Sequence, residues 1–155
     1  VTDPPVTLYR LALPYKQLPA ALRGNARSGH WGARSSDSHR VRGDVVTLAR
    51  AAGLQRLTGV RHVTVQLVWA PGHNLRADAG NLTPLQKAAL DALTPSRTIK
   101  RRVKGQLKLT HYVGIGLIPD DTEPWATELM PRIDRPPTPA GLWLNVWVQT
   151  EETPQ

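Results

Sequence analysis

Apolar and polar positions alternate along Val6-Thr-Leu-Tyr-Arg-Leu-Ala-Leu13, and the spacing predicts a strand closed by Pro14. Residues 14–40 carry no sustained apolar period and read as a long loop, of a length that marks it as functional or mobile. Val41, Val45, Leu48 and Ala52 then recur at helical spacing, which predicts a helix over 41–54 with Gly53 as its stop. Val60 to Ala70 alternates and is rich in β-branched residues, so it predicts a second strand, ended by Pro71-Gly72. After a loop over 71–83, Thr83 has the character of an N-cap. Pro84 suits the first helical position, and Gln86 stands where a capping box requires it. That helix runs to about Leu93, with Leu85, Ala89, Ala92 and Leu93 on its apolar face and Lys87 four residues before Asp91 on another. Residues 97–108 predict a basic hairpin or arm, and 124–134 a short helix. Leu142 to Val148 predicts a last strand with Trp143 and Trp147 on one face. Residues 149–155 are expected to fray.

Strands around two helices imply an α+β fold, a mixed β-sheet flanked by helices, and 155 residues suit a single domain over 1–155. The absence of cysteine excludes disulfides, thiolate metal sites and cysteine nucleophiles. No apolar run approaches the length of a membrane span, and the N-terminal residues do not resemble a signal peptide, so no membrane association and a cytoplasmic location are expected.

Charge changes the picture more. The net charge is +8, and it is uneven. Residues 1–119 hold 18 basic and 5 acidic side chains, whereas 120–155 hold 2 basic and 7 acidic. A basic surface of this kind favours polyanions, nucleic acid first.

Against that background two short segments carry the candidate chemistry. Arg76-Ala-Asp78-Ala-Gly80-Asn81 leads into the helix that bears Lys87, and Gly116-Leu-Ile-Pro-Asp120-Asp121 follows the basic segment. Magnesium takes hard oxygen ligands, commonly one or two carboxylates with water and phosphate oxygens. Asp78, Asp120 and Asp121 can supply them, and a lysine can stabilise charge developing on a phosphate. The same residues also read as ordinary turn and capping chemistry, with Lys87 and Asp91 as a surface pair.

Taken together, these motifs resemble the RusA family of Holliday junction resolvases. The family reads Asp-x-Asp-Asn where this chain has Asp78-Ala79-Gly80-Asn81. The helix Leu85-Gln-Lys-Ala-Ala-Leu-Asp-Ala-Leu93 and the segment Gly116 to Thr122 are close to the family pattern. The resemblance implies that Asp78 and Asp121 are catalytic, metal-binding carboxylates, with Asp120 as the neighbouring acid and Lys87 as the catalytic lysine. It implies a magnesium cofactor, with manganese as an alternative. It also implies a homodimer that nicks four-way DNA junctions in pairs, or other branched DNA. The expected DNA contacts are Arg23, Asn25, Arg27, His30, Arg76, Asn81, Arg101, Arg102 and Lys104.

Two departures qualify this. Gly80 replaces a metal-binding aspartate, so a descendant that binds branched DNA with weakened or no cleavage is the alternative. Residues 94–115 separate the two motifs and read as an inserted basic hairpin that adds phosphate contacts. A third possibility is an unrelated basic interaction domain in which tryptophans stack on bases.

Overall fold

The computed structural model describes residues 3–24 and 31–151. Seven strands and two helices follow the chain: β1 (Val6–Ala12), α1 (Trp31–Ala51), β2 (Val60–Ala70), α2 (Thr83–Asp91), β3 (Pro95–Val103), β4 (Gln106–Ile115), β5 (Ala126–Glu128), β6 (Arg132–Ile133) and β7 (Gly141–Thr150). The fold is mixed α+β. The main sheet runs in the order β1-β7-β2-β5, with β6 also on β2. β7 is antiparallel to both β1 and β2, whereas β5 and β6 run parallel to β2.

Strand alternation sets which side faces the helices. Leu11 of β1, Val63, Val65 and Leu67 of β2, and Leu144, Val146 and Val148 of β7 share one face and are all buried. They form one cluster with Val41, Val45 and Ala49 of α1 and with Leu85, Ala89 and Leu90 of α2. The other face carries Trp143 and Trp147, as the alternation requires, and Arg10 lies 4.3 Å from the Trp143 ring centroid.

The helix expected at 41–54 begins ten residues earlier, at Trp31, inside the stretch read as loop. The polar segment 34–40 hides this, because its helical turns meet few apolar partners. Only from Val41 onward does the helix lie on the core. The buried stripe is Val41, Val45, Val46 and Ala49, while Ala52 lies beyond the helix and is exposed. The short helix expected over 124–134 is instead β5 and β6. Each adds only a few residues to the parallel edge of β2, too short for a strand period to be visible. The tail expected to fray from Gln149 is paired through Thr150, whose amide donates to the Pro5 carbonyl, and Glu151 N–H donates to Gly59 O at 2.7 Å.

Gln86 is the clearest departure at the level of one side chain. Leu82, not Thr83, is the N-cap of α2, and no side chain caps it. Gln86 is instead fully buried. Its Oε1 accepts from Leu67 N–H at 2.7 Å, and its Nε2 donates to Leu129 O at 2.8 Å. A residue that looked like a local cap is a tertiary bridge from α2 to β2 and to the turn after β5.

Residues 95–115 form the expected hairpin as a separate two-stranded sheet. Lys104 and Gly105 make its turn with φ of 51° and 76°, the doubly positive geometry of a two-residue hairpin loop. The hairpin is anchored at its base by Arg42, which is only 4% exposed. Arg42 Nε donates to Val113 O, and its Nη2 reaches Thr94 Oγ1 and Pro95 O. Burial pulls the Arg42 guanidinium below its ordinary value, and Asp91 opposes that pull. Tyr112 completes the anchor, stacked on His39 at 4.8 Å with the Arg97 guanidinium 5.1 Å from its centroid. Arg42→Met is expected to cost about 1–3 kcal/mol, because the bonds from a charged donor disappear and part-buried carbonyls lose their partner. Limited proteolysis at Arg101 or Lys104 should accelerate with it. Unchanged proteolysis at the tip would show that the hairpin does not depend on this anchor.

Candidate functional site

The candidate residues fall on two sides of α2. The first group begins where β2 ends. The loop after Ala70 brings Arg76 and Asp78 to the foot of a 3-10 turn, Ala79–Leu82, that runs directly into α2. Asp78 caps that turn: its Oδ1 accepts from Gly80 N–H at 2.9 Å, and Asn81 N–H donates to Asp78 O at 3.0 Å. One carboxylate oxygen is thus committed to the turn, while Oδ2 takes no part in it.

Asn81 then ties this turn to the segment after β1. Gly24 N–H donates to Asn81 O at 2.8 Å, and a Cβ on Gly24 would stand 3.0 Å from the Asn81 Cα. Close approach of the two backbones therefore favours glycine at 24, since any side chain would push the Asn81 backbone outward by a few tenths of an ångström. This backbone bond sets Arg23 beside the turn. Arg23, Arg76, Asp78 and Asn81 all line one open cleft of about 840 Å³, whose lining also includes Trp69 and Leu75. Tyr15 also lines it, with its hydroxyl donating to Asp44 Oδ2 at 2.6 Å. Burial first, and the Asp44 bond next, raise the Tyr15 phenol above its ordinary value, so it stays protonated at neutral pH.

The second group lies on α2 and the loop after β4. Lys87 Nζ donates to Asp91 Oδ1 at 3.0 Å and also to Asp121 Oδ2. The loop is held against α2 by the backbone, since Leu117 N–H donates to Leu93 O at 2.9 Å. Asp120 spends both carboxylate oxygens on its own turn, at 2.8 Å from Asp121 N–H and 2.9 Å from Thr122 Oγ1. Asp91, Asp120, Asp121, Arg42 and Arg97 line a smaller cavity of about 230 Å³.

Lys87 and Asp121, 34 residues apart in sequence, are thus brought together, whereas Asp78 lines the other cleft. Among the described residues no three acids or histidines are grouped to hold a metal ion. Asp78 lines the large cleft without a second acid beside it, whereas Asp121 shares the smaller cavity with Asp91 and Asp120; an open magnesium site completed by water and phosphate needs only one or two protein carboxylates. Asp120 is the poorest ligand of the three, because both its oxygens already accept hydrogen bonds.

Of the expected DNA contacts, Arg23, Arg76 and Asn81 converge on the large cleft. Asn25, Arg27 and His30 lie outside the described residues. Arg101, Arg102 and Lys104 sit at the distal end of the hairpin, all exposed. They do not make a single patch. Arg101 pairs with Lys108 and Arg102 with Leu107, so alternation sends these two arginines to opposite faces. Asp91 was legible only as a surface partner of Lys87. In the structure it both accepts from Lys87 Nζ and lines the cavity that holds Asp121. Trp69 and Lys16 in the large cleft had no sequence signal beyond their residue types.

No protein-family model matches the chain, and no curated protein matches it. Among the described residues no helix is long and apolar enough to cross a membrane.

Proposed function

We propose that this protein is a magnesium-dependent, structure-selective DNA endonuclease of the RusA type that resolves four-way junctions by paired nicks. The observation that carries the reading is Lys87 held by Asp91 and Asp121 at once. This ion pair joins the two segments on which the RusA resemblance rests. Exposed basic residues beside these acids supply the affinity for a polyanion.

Magnesium, when bound, supplies polarisation of the phosphodiester and a hydroxide at neutral pH. The chain's own residues do the rest. Asp121, beside Lys87, would hold the ion at the smaller cavity, and Asp78, through its free Oδ2, would hold one at the large cleft; the two carboxylates line different cavities and do not share an ion. Asp91 keeps the Lys87 ammonium at the Asp121 carboxylate, where it can pair with charge that develops on the phosphate. Arg23 and Arg76 hold a flanking phosphate at the cleft. The hairpin adds sequence-independent phosphate binding on two faces. Paired nicks need two sites, which gives a homodimer its purpose. The helix-free sheet face, where Val6 and Leu8 are 57% and 51% exposed, supports an interface there.

Arg101→Glu with Lys104→Glu is expected to weaken binding to junction and linear duplex alike. The slope of log affinity against log salt should become shallower by roughly one for each phosphate that the native side chain neutralises. An unchanged slope would remove the hairpin from the interface.

A second reading has its own observation. Gly80 carries no carboxylate, and Asp120 is spent on its turn, so junction binding without cutting is the alternative. A Cβ on Gly80 would meet Asp78 Oδ1 at 3.4 Å, an ordinary van der Waals distance, and Gly80 does not have positive φ. Gly80→Asp is therefore accommodated and sets a second carboxylate beside Asp78. If the native chain is a nuclease, Gly80→Asp should tighten magnesium dependence and leave cutting in place. Cutting that appears only in Gly80→Asp would establish the binding protein instead. The deciding assay is a labelled four-way junction and a matched duplex, with magnesium and with chelator.

A further inference from the structure

We infer that the 840 Å³ cleft beside Asp78 is a site for one unstacked nucleotide, with its base against Trp69 and its phosphate toward Arg23 and Arg76. The inference rests on the nucleic-acid reading above and names what the cleft receives.

Size is the first ground. A magnesium ion and one phosphate occupy a small part of such a volume, which falls in the range of about 300–1,000 Å³ typical of small-molecule sites. Composition is the second. The lining combines three cations, Lys16, Arg23 and Arg76, with the apolar and aromatic Trp69 and Leu75. That combination suits a nucleotide, which has an anionic end and a flat apolar face. Trp69 is the fixed part of the wall. Its place on β2 is set by pairing with Leu142 and Ile133, and it packs against the core while one side lines the cleft. A rigid aromatic on a strand is a stacking platform that tolerates any base, worth about 1–3 kcal/mol per base. Asn81, also in the lining, offers an amide that can both donate and accept at a base edge.

A duplex presents no free base to such a cleft. At the crossover of branched DNA a base pair loses a stacking neighbour, so withdrawing one base there costs less than within a continuous duplex. Lys16 and Leu75 are exposed and take no part in the metal chemistry proposed above.

The test uses the full chain in chelator, so that nothing is cut, and a four-way junction carrying a single 5-iodo-2′-deoxyuridine stepped through the positions that flank the crossover. Light at the long-wavelength edge of iodouracil absorption joins it to a stacked aromatic side chain. The expected result is an adduct from one or two positions only, mapped by mass spectrometry to Trp69. Its yield should fall about tenfold in Leu75→Glu, which sets a negative charge and bulk in the cleft beside the base. Junction binding with no adduct on Trp69 from any position would overturn the inference and leave the endonuclease reading intact. Free 5-iodo-2′-deoxyuridine monophosphate is the second arm. A Trp69 adduct from it, abolished in Leu75→Glu, from a protein that does not bind the junction would keep the cleft as a nucleotide site and overturn the branched-DNA reading. No adduct from either probe overturns the cleft assignment.

Discussion

Lys87→Met is expected to lower magnesium-dependent nicking of a four-way junction by about 10²–10³-fold, the cost of removing one donor aimed at developing charge. Junction affinity in chelator should change little, because a single exposed cation is a small share of the phosphate binding. The folded state should barely notice the change, since exposed pairs of this kind contribute about 0.2–1 kcal/mol. Lys87→Arg keeps the charge but changes its shape, and partial activity is expected there. Asp91→Asn separates position from chemistry. It leaves Lys87 charged and Asp121 in place while loosening the ammonium, so the rate should fall by less than in Lys87→Met. Asp121→Asn should abolish cutting in magnesium and spare binding. Full nicking activity in Lys87→Met or in Asp121→Asn would remove those residues from the chemistry. A rapid-quench time course on the junction, with binding measured separately, reads all of these.

Gln86→Leu is expected to destabilise the fold by about 2–5 kcal/mol. Leucine fills nearly the same space but abandons the buried Leu67 N–H and the part-buried Leu129 O, and a buried group left unpaired costs about 1–3 kcal/mol. In a domain of this size the melting temperature should fall by roughly 10 °C, at about 2–4 °C for each kcal/mol. Gln86→Glu is the informative companion. Its carboxylate still accepts from Leu67 N–H, but it faces Leu129 O without a donor unless protonated, so its stability should improve as pH falls. A melting temperature for Gln86→Leu within a degree or two of the native chain would show that the bridge is not what fixes α2 on the sheet. Because α2 also carries Lys87, a large loss of stability here should bring a loss of nicking even though Gln86 touches no substrate.

The sequence by itself determined what depends on neighbours along the chain. β2 and β7 were legible because alternation of apolar and polar residues states which face is buried, and the hairpin because basic strands flank Lys104-Gly105. The i,i+4 pair of Lys87 and Asp91 followed from helical spacing alone, and the 3.0 Å bond agrees with it. The mixed α+β class followed from the same periods.

Tertiary structure alone decided what depends on residues far apart. The first three turns of α1 were invisible because a helix that meets little core needs no apolar stripe. β5 and β6 were invisible because a strand of two or three residues takes its identity from the partner it borders. Gln86 has the same side chain in a capping box as in a buried bridge, and only the position of Leu67 and Leu129 selects between them. The candidate site divides in the same way. Asp78, Asp120, Asp121 and Lys87 were legible as chemistry, but their grouping was not. Folding draws Asp121 to Lys87, spends Asp120 on its own turn and sets Asp78 in a separate cleft with Trp69, because side-chain proximity across 34 residues is fixed by how α2 and the loop after β4 pack and not by spacing along the chain.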